Sequence, residues 1–382
     1  MNFGPLKEFL DTCLPMLGIP GSDTVIYKGR EEVFRYQSGY DSIAEKTPVR
    51  PDALYHMYSI TKVSTCVAAA QLIERGEIMI TDPVSAYFPE YKNINVKVKN
   101  PDGTEEIRPA KNQLLIKHLL SMTGGLDYNL NRPGIKRVKA ETGGKAPTLD
   151  IVRAIAEDPF IFEPGTNYQY SLCLDIIGGI IELVSGKRLS EYMKENIFEP
   201  LGMKNTSFGL TNSKLERLAT QYLYDSETKS AKEVSKDYNP FVFGTEYDSG
   251  GAGLISCVDD QILLADALTH LGVGKNGNRI LSSYATNLMR TNILDDVQYK
   301  SFNKIAQVKG YGYGYGVRTN MHPEEGGNLM PVGEFGWDGA RLAYISSCPE
   351  SGISIFHAEH MGTFHSTVIP RLRNIVYSCM DY

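Results

Sequence analysis

Between Lys62 and Gly76 the chain carries a helical stretch that is apolar on almost every side, with Val63, Cys66, Val67, Ala70, Leu72 and Ile73 spread around the circle. A helix without a polar face belongs between layers, not on a surface. The rest of the chain must therefore cover it all round, and 382 residues allow two domains or one domain with a large insertion. At its front stands Ser59-Ile60-Thr61-Lys62. Residues three apart share a helical face about one turn apart, so this spacing holds a hydroxyl and an amine within mutual reach. A helix start near Ser59 would also place the hydroxyl in the positive end of the helix dipole. That is what an activated serine nucleophile needs. The same four residues equally fit an N-cap serine followed by a surface lysine, so other segments have to decide.

The order of elements gives the organisation. Residues 1–20 open with a short amphipathic helix (Phe9, Leu10, Cys13, Leu14, Leu17), ended by Gly18, Pro20 and Gly21. Residues 24–27 and 32–36 read as a β-hairpin, and residues 41–55 as a polar loop. Val96 and Val98 alternate before a turn at Asn100-Pro101-Asp102-Gly103, which predicts a surface hairpin. From 113 to about 240 the pattern is mainly helical, with helices at 114–120, 150–157, 172–184 and 189–198. Ser171 is the expected N-cap of the third and Gly186 its stop, while Pro200 should halt the fourth. Gly250-Gly251-Ala252-Gly253 demands a tight backbone path, and 258–271 reads as an amphipathic helix. The remainder is strand-rich, at 334–337, 342–347 and 353–358, before a closing helix at 368–380. Tyr311, Tyr313 and Tyr315 alternate with glycine, either as a ring of pocket tyrosines or as one buried strand face. The pattern predicts a discontinuous α/β sheet domain from residues 1–75 and 245–382, with a mainly helical domain, 76–244, inserted and the active site between them.

Composition excludes several classes. The net charge is −6 and no basic block marks a nucleic-acid or anionic-membrane partner. No run of about 18 apolar residues spans a membrane. The N-terminus lacks a basic start and apolar core, which leads us to expect a cytoplasmic protein. The six cysteines are scattered singly, as free thiols in a reducing compartment would be. His357 and His360 are three apart but at a strand end, so no metal is expected.

Two further segments carry chemistry. Phe162-Glu163-Pro164-Gly165-Thr166 delivers Tyr168-Gln169-Tyr170-Ser171-Leu172 to the start of an apolar helix, where a phenol can share a proton with an amine. Both groups have ordinary pKa values near about 10. A nearby ammonium should lower the phenol and burial should lower the lysine; reaching neutrality takes about three units, or roughly 4 kcal/mol. Gly336-Trp337-Asp338-Gly339-Ala340 reads as strand, and glycine there marks a close approach. An edge strand beside the serine would offer the Ala340 N–H, which with the Ser59 N–H makes an oxyanion hole where one donor contributes about 3 kcal/mol.

Ser59-x-x-Lys62, then Tyr170-Ser171, then Trp337-x-Gly339 occur in the order and spacing of the serine β-lactamase and penicillin-binding-protein superfamily, which the chain resembles over nearly its whole length. His118-Leu119-Leu120-Ser121-Met122-Thr123-Gly124-Gly125, Pro200-Leu201-Gly202-Met203 and Gly250-Gly251-Ala252-Gly253-Leu254 agree. Within it the chain most resembles the class C-like branch, and especially the family VIII carboxylesterases. The resemblance implies a β-lactamase/transpeptidase-like α/β (α+β) fold, an antiparallel sheet flanked by helices. It implies acyl transfer with Ser59 as nucleophile, Lys62 and Tyr170 moving protons, and the N–H groups of Ser59 and Ala340 as the oxyanion hole. Which of Lys62 and Tyr170 first accepts the proton stays open. Leu172 and Trp337 stand where cephalosporinases carry an asparagine and a lysine, and Asp338 adds a negative charge, which argues for uncharged esters over lactams. Substrate contacts are expected from Trp337, Gly339, Asp338, Tyr128 and Leu172, with Tyr222 and Phe364 as further walls. No cofactor is implied, and the partner is a small-molecule ester or amide; the oligomeric state is not readable. The competing readings are a β-lactamase or D-aminopeptidase/D,D-peptidase-like amidase and, from another class, a non-catalytic ligand-binding relative.

Overall fold

β-Branched and aromatic residues dominate the segments that become strands, and eight of these form one antiparallel sheet in the computed structural model, which describes residues 1–100 and 102–381. In chain order the strands are β1 Gly21–Lys28, β2 Glu31–Ser42, β3 Thr47–Pro48, β4 Tyr55–His56, β5 Asn95–Lys99, β6 Glu105–Pro109, β7 Gln221–Asp225, β8 Ser230–Val234, β9 Ile255–Ser256, β10 Tyr311–Tyr313, β11 Arg318–Asn320, β12 Phe335–Asp338, β13 Tyr344–Cys348 and β14 Ile353–Ala358. The large sheet runs β10-β11-β12-β13-β14-β1-β2-β3, so the N-terminal hairpin docks on the C-terminal strands through β1 and β14. The other strands pair as β4 with β9, β5 with β6 and β7 with β8.

Alternation along the strands splits the sheet between two cores. The register sets Val25 opposite Phe356, Phe356 opposite Ile345, and Ile345 opposite Trp337. That row faces the larger core and leads to the cleft described below. One residue along, Ile26, Ile355 and Tyr344 face the helical segment 4–16 and the closing helix His365–Met380, against Leu6, Leu10, Leu372 and Val376. On the first side lies the helix Thr61–Glu74, with residues 61–72 all buried. It packs against the helices Cys173–Ser185 and Ser283–Met289, the all-round cover its apolar sequence demanded. Burying each Val, Leu or Ile of this kind contributes about 1.5–3 kcal/mol.

Several elements depart from expectation. The N-cap of Cys173–Ser185 is Leu172, not Ser171, whose hydroxyl instead donates to Cys173 Sγ at 3.1 Å. Gly186, at φ 68°, does end that helix. Pro200 does not halt the next helix, which runs over residues 189–201 through the π-turn segment Lys194–Phe198 to Gly202. A proline frees the carbonyl four residues earlier; here that carbonyl, Asn196, accepts Gln71 Nε2 at 3.0 Å, so nothing is left unpaired. The hairpin β7–β8 lies where helix was expected, because its turn around Asp225-Ser226-Glu227-Thr228 contains no glycine or proline to announce it. The helices Pro133–Glu141 and Asp296–Ala306 match no expected element. The hairpin β5–β6 is present, although Pro101 in its turn lies outside the described residues.

Strand β12 is not an edge strand, since β11 and β13 flank it. However, β11 pairs only with Phe335 and Gly336, so Trp337 and Asp338 run past it towards the serine. Tyr311, Tyr313 and Tyr315 are buried side chains of the core and not walls of the cleft. His357 lies between Thr24 Oγ1 (2.7 Å) and Glu359 Oε1 (2.8 Å), and His360 Nδ1 donates to the Thr220 carbonyl. Among the described residues no three His, Cys, Asp or Glu side chains are grouped as metal ligands.

Candidate active site

Ser59 sits not in the long helix but in the 3-10 turn Tyr58–Ile60 that leads into it. Tyr58 just before it has φ 45°, a left-handed conformation that bulky side chains avoid. The surroundings hold it there: the ring is buried, its hydroxyl donates to Gln221 Oε1, and Phe241 packs edge-on against it. The turn places Ser59 Oγ at the front of the helix, with Lys62 one turn on.

Lys62 is fully buried, and its Nζ donates to Ser59 Oγ at 3.1 Å, to Tyr128 Oη at 2.9 Å and to the Gly251 carbonyl at 2.7 Å. Three donors thus meet three acceptors, none of them a carboxylate. Burial pushes the ammonium down to about 8, and the nearby Asp175 carboxylate opposes the shift only in part. Asp175 is itself held at 2.7 Å by both Tyr247 Oη and Ser249 Oγ and accepts the Gly251 N–H at 3.2 Å, which anchors the residue whose carbonyl faces the lysine. The Gly-rich stretch at 250–253 is thus the lysine's backbone partner.

Tyr170 arrives on the loop after Pro164-Gly165, pinned where Gln169 N–H donates to the Met122 carbonyl at 2.9 Å. Trp337 Nε1 donates to its oxygen at 2.9 Å, and the two rings lie tilted by 33° with their centres 5.5 Å apart. Lys62 Nζ lies 4.7 Å from the Tyr170 ring centre. The expected lowering of this phenol by the ammonium does not occur. Burial outweighs the hydrogen bonding from Ser59 and Trp337, so the pKa rises above its ordinary value and the group rests as a neutral phenol.

The turn after β12 brings Gly339 and Ala340 beside the serine segment. It is closed by Gly339 N–H to the Ala343 carbonyl (2.7 Å) and braced by His365 Nε2 donating to the Gly339 carbonyl (2.7 Å). Only glycine allows this approach, because a Cβ at 339 would stand 2.6 Å from the Met57 carbonyl oxygen. Among the described residues neither the Ser59 nor the Ala340 N–H has an acceptor, so both are free to meet a substrate oxygen.

These groups line a cleft of about 430 Å³. Of the residues singled out from the sequence, it gathers Ser59, Tyr128, Tyr170, Trp337, Asp338, Gly339 and Ala340, with Lys62 beneath. Leu172 is not brought to it but is buried at the helix start, and Tyr222 and Phe364 lie elsewhere, the latter against Tyr224. Tyr128 serves as a hydrogen-bond acceptor for Lys62 as well as a wall. Sequence reasoning missed Phe241, Phe302, Ile305 and Val308, which make the cleft strongly apolar. The last three belong to, or directly follow, a helix that was not foreseen, although its Asp295–Gln298 capping box was there to be found. A larger cavity, about 530 Å³ around Arg188, Asn239 and Thr245, is lined by neither Ser59 nor Lys62.

Comparison with known proteins identifies the family and the fold. A family model described as Beta-lactamase matches residues 6–358. Protein Rv1367c of Mycobacterium tuberculosis is 27% identical over 363 residues, covering 93% of this chain and 88% of its own. Esterase EstB of Burkholderia gladioli is 24% identical over 359 residues, covering 87% and 84% respectively. The solved structure of EstCE1, described as a hydrolase with promiscuous acyltransferase activity, superposes with a TM-score of 0.75 at 24% identity, over 97% of this chain and 96% of the other.

Proposed function

Since the chain belongs to the Beta-lactamase family, we propose that it is a serine hydrolase working through an acyl-enzyme on small carboxylic esters. The observation that carries this reading is the 3.1 Å contact between Ser59 Oγ and an amine whose pKa burial lowers to about 8. The name of the relative EstB, an esterase, supports the substrate class. So does the apolar cleft, which offers a lactam carboxylate no lysine at position 337. The site lies between a sheet domain, 1–75 with 245–382, and an inserted domain, 76–244.

The difference in basicity supports the following order of proton steps. Neutral Lys62 accepts the Ser59 proton as Oγ bonds to the ester carbon. The carbonyl oxygen, gaining charge, takes the N–H groups of Ser59 and Ala340. Tyr170 is protonated at rest, so it gives its proton to the departing alcohol oxygen as the C–O bond breaks, and Trp337 Nε1 steadies the phenolate. Lys62 then passes its proton to Tyr170. In the second half, water yields a proton to Lys62 and attacks the acyl carbon, Ser59 recovers its proton from Tyr170 as the acid leaves, and Lys62 again returns its proton to Tyr170. Among the described residues no helix is long and apolar enough to cross a membrane.

The test is intact mass after mixing with short-chain nitrophenyl esters and a chromogenic cephalosporin. An acyl adduct that disappears in Ser59→Ala supports the reading, and faster turnover of the cephalosporin overturns the ester preference. Failure of every ester, lactam and fluorophosphonate probe to label Ser59 favours a non-catalytic binder.

A further inference from the structure

The cleft wall made by Ala306, Val308, Arg318, Asp338 and His365 is shared with a second cavity, of about 350 Å³. Its other walls come from Tyr311 on β10, from Asn328, and from Arg373 on the closing helix. This chamber is rich in donors with nothing to donate to. Among the described residues, Arg318 Nη1, Arg373 Nε, Arg373 Nη1, Asn328 Nδ2 and Tyr311 Oη are all buried without a hydrogen-bond partner. Arg318 and Arg373 are only 3% and 2% exposed.

The two arginines are not equivalent. Arg318 Nη2 pairs with Glu334 Oε1 at 2.9 Å and donates to Tyr344 Oη at 3.1 Å. Arg373 has no carboxylate within ion-pair distance among the described residues, and only the rings of Tyr311 (4.9 Å) and Tyr344 (5.9 Å) face its guanidinium. A guanidinium cannot shed its proton to relieve burial, as a lysine can. Left alone it is a costly group, because buried charges are otherwise paired. His365 and Ser366 also line the chamber, adding the positive end of a sixteen-residue helix. Lys309 and Glu325 line it too, with opposite charges.

We propose that this chamber binds a carboxylate, the anionic arm of an ester whose reacting carbonyl sits at Ser59. The proposal rests on the esterase reading above and extends it to the substrate. A planar carboxylate matches the fork of a guanidinium, and its single charge suits one uncompensated arginine. A phosphate dianion would exceed that single charge, and Glu325 and Asp338 on the same walls would repel it more strongly.

The experiment uses the whole chain and two nitrophenyl esters of equal length, the hexanoate and the mono-adipate, with calorimetric titration of free adipate and of hexanamide alongside. The expected result is a kcat/KM ratio favouring the mono-adipate by about tenfold or more, the scale on which a buried polar site discriminates. Adipate should bind and hexanamide should not. In Arg373→Met, and less so in Arg373→Lys, that ratio and the adipate binding should both fall. A wild-type ratio at or below one, or adipate binding unchanged in a folded Arg373→Met, overturns the proposal. If the variants do not fold, the wild-type ratio and titration decide alone. If Ser59 is not a nucleophile, neither ester turns over but adipate still binds, which separates the failure of the esterase reading from the failure of this one.

Discussion

The cleft at Ser59 and the chamber behind its wall each bury a cation, and they treat it in opposite ways. Lys62 has an acceptor for every proton and no carboxylate among them; burial makes it a weaker acid-holder, about 8 instead of 10.5, and so a usable base. Among the described residues Arg373 has no acceptor for two of its nitrogens, and it has no means of losing its charge. A buried amine can thus be tuned by its surroundings alone, whereas a buried guanidinium keeps its charge and stays uncompensated until an anion arrives. On the readings proposed above, the same low-polarity interior serves a base in one place and an anion receptor in the other.

The sharpest way to break this comparison is to remove the atom the lysine serves. Ser59→Ala should lower ester turnover by at least about 10³-fold, with loss of the acyl adduct in the mass spectrum. Next comes the lysine. Lys62→Met should abolish turnover to a similar degree yet raise stability at pH 7 by about 2 kcal/mol, read by urea denaturation, because a buried ammonium is replaced by an apolar group of similar length. A loss of stability would mean that the three hydrogen bonds outweigh the burial cost. Gly339→Ala should cost about 10²-fold in kcat with little change in KM, since the added Cβ displaces the turn carrying the Ala340 N–H.

The smallest effects are the most diagnostic. In the wild type kcat/KM should rise with pH and reach half its plateau near pH 8, because only neutral Lys62 accepts a proton. Tyr128 Oη accepts from the charged lysine, so Tyr128→Phe removes a contact that favours the ammonium. The midpoint should move to lower pH, with turnover changed by less than about tenfold. A shift to higher pH would reverse the direction of hydrogen bonding assigned here. The linked effect on folding has the same origin. Because Lys62 holds its proton less tightly folded than unfolded, its contribution to stability rises with pH between about 8 and its unfolded value, and is lost as pH falls through about 8.

Much of this molecule is legible in its sequence. The apolar circumference of 63–73 requires cover on all sides, and the helix is covered so. The strand alternation at 24–27 and 353–358 places two rows on two cores. Ser59 and Lys62 are neighbours through spacing alone. Each of these is a property of residues a few positions apart, where geometry is set by the chain itself. Other features depend on segments far apart in sequence. Trp337 meets Tyr170 across 167 positions and Gly251 meets Lys62 across 189. Burial, which raises the phenol and lowers the amine, is decided by everything packed around them. Arg373 looks like any helical arginine in the string. Its proposed role as a receptor arises only because folding removes it from water, closes two tyrosine rings over it and, among the described residues, sets no carboxylate within ion-pair distance, a result of packing that no local pattern records.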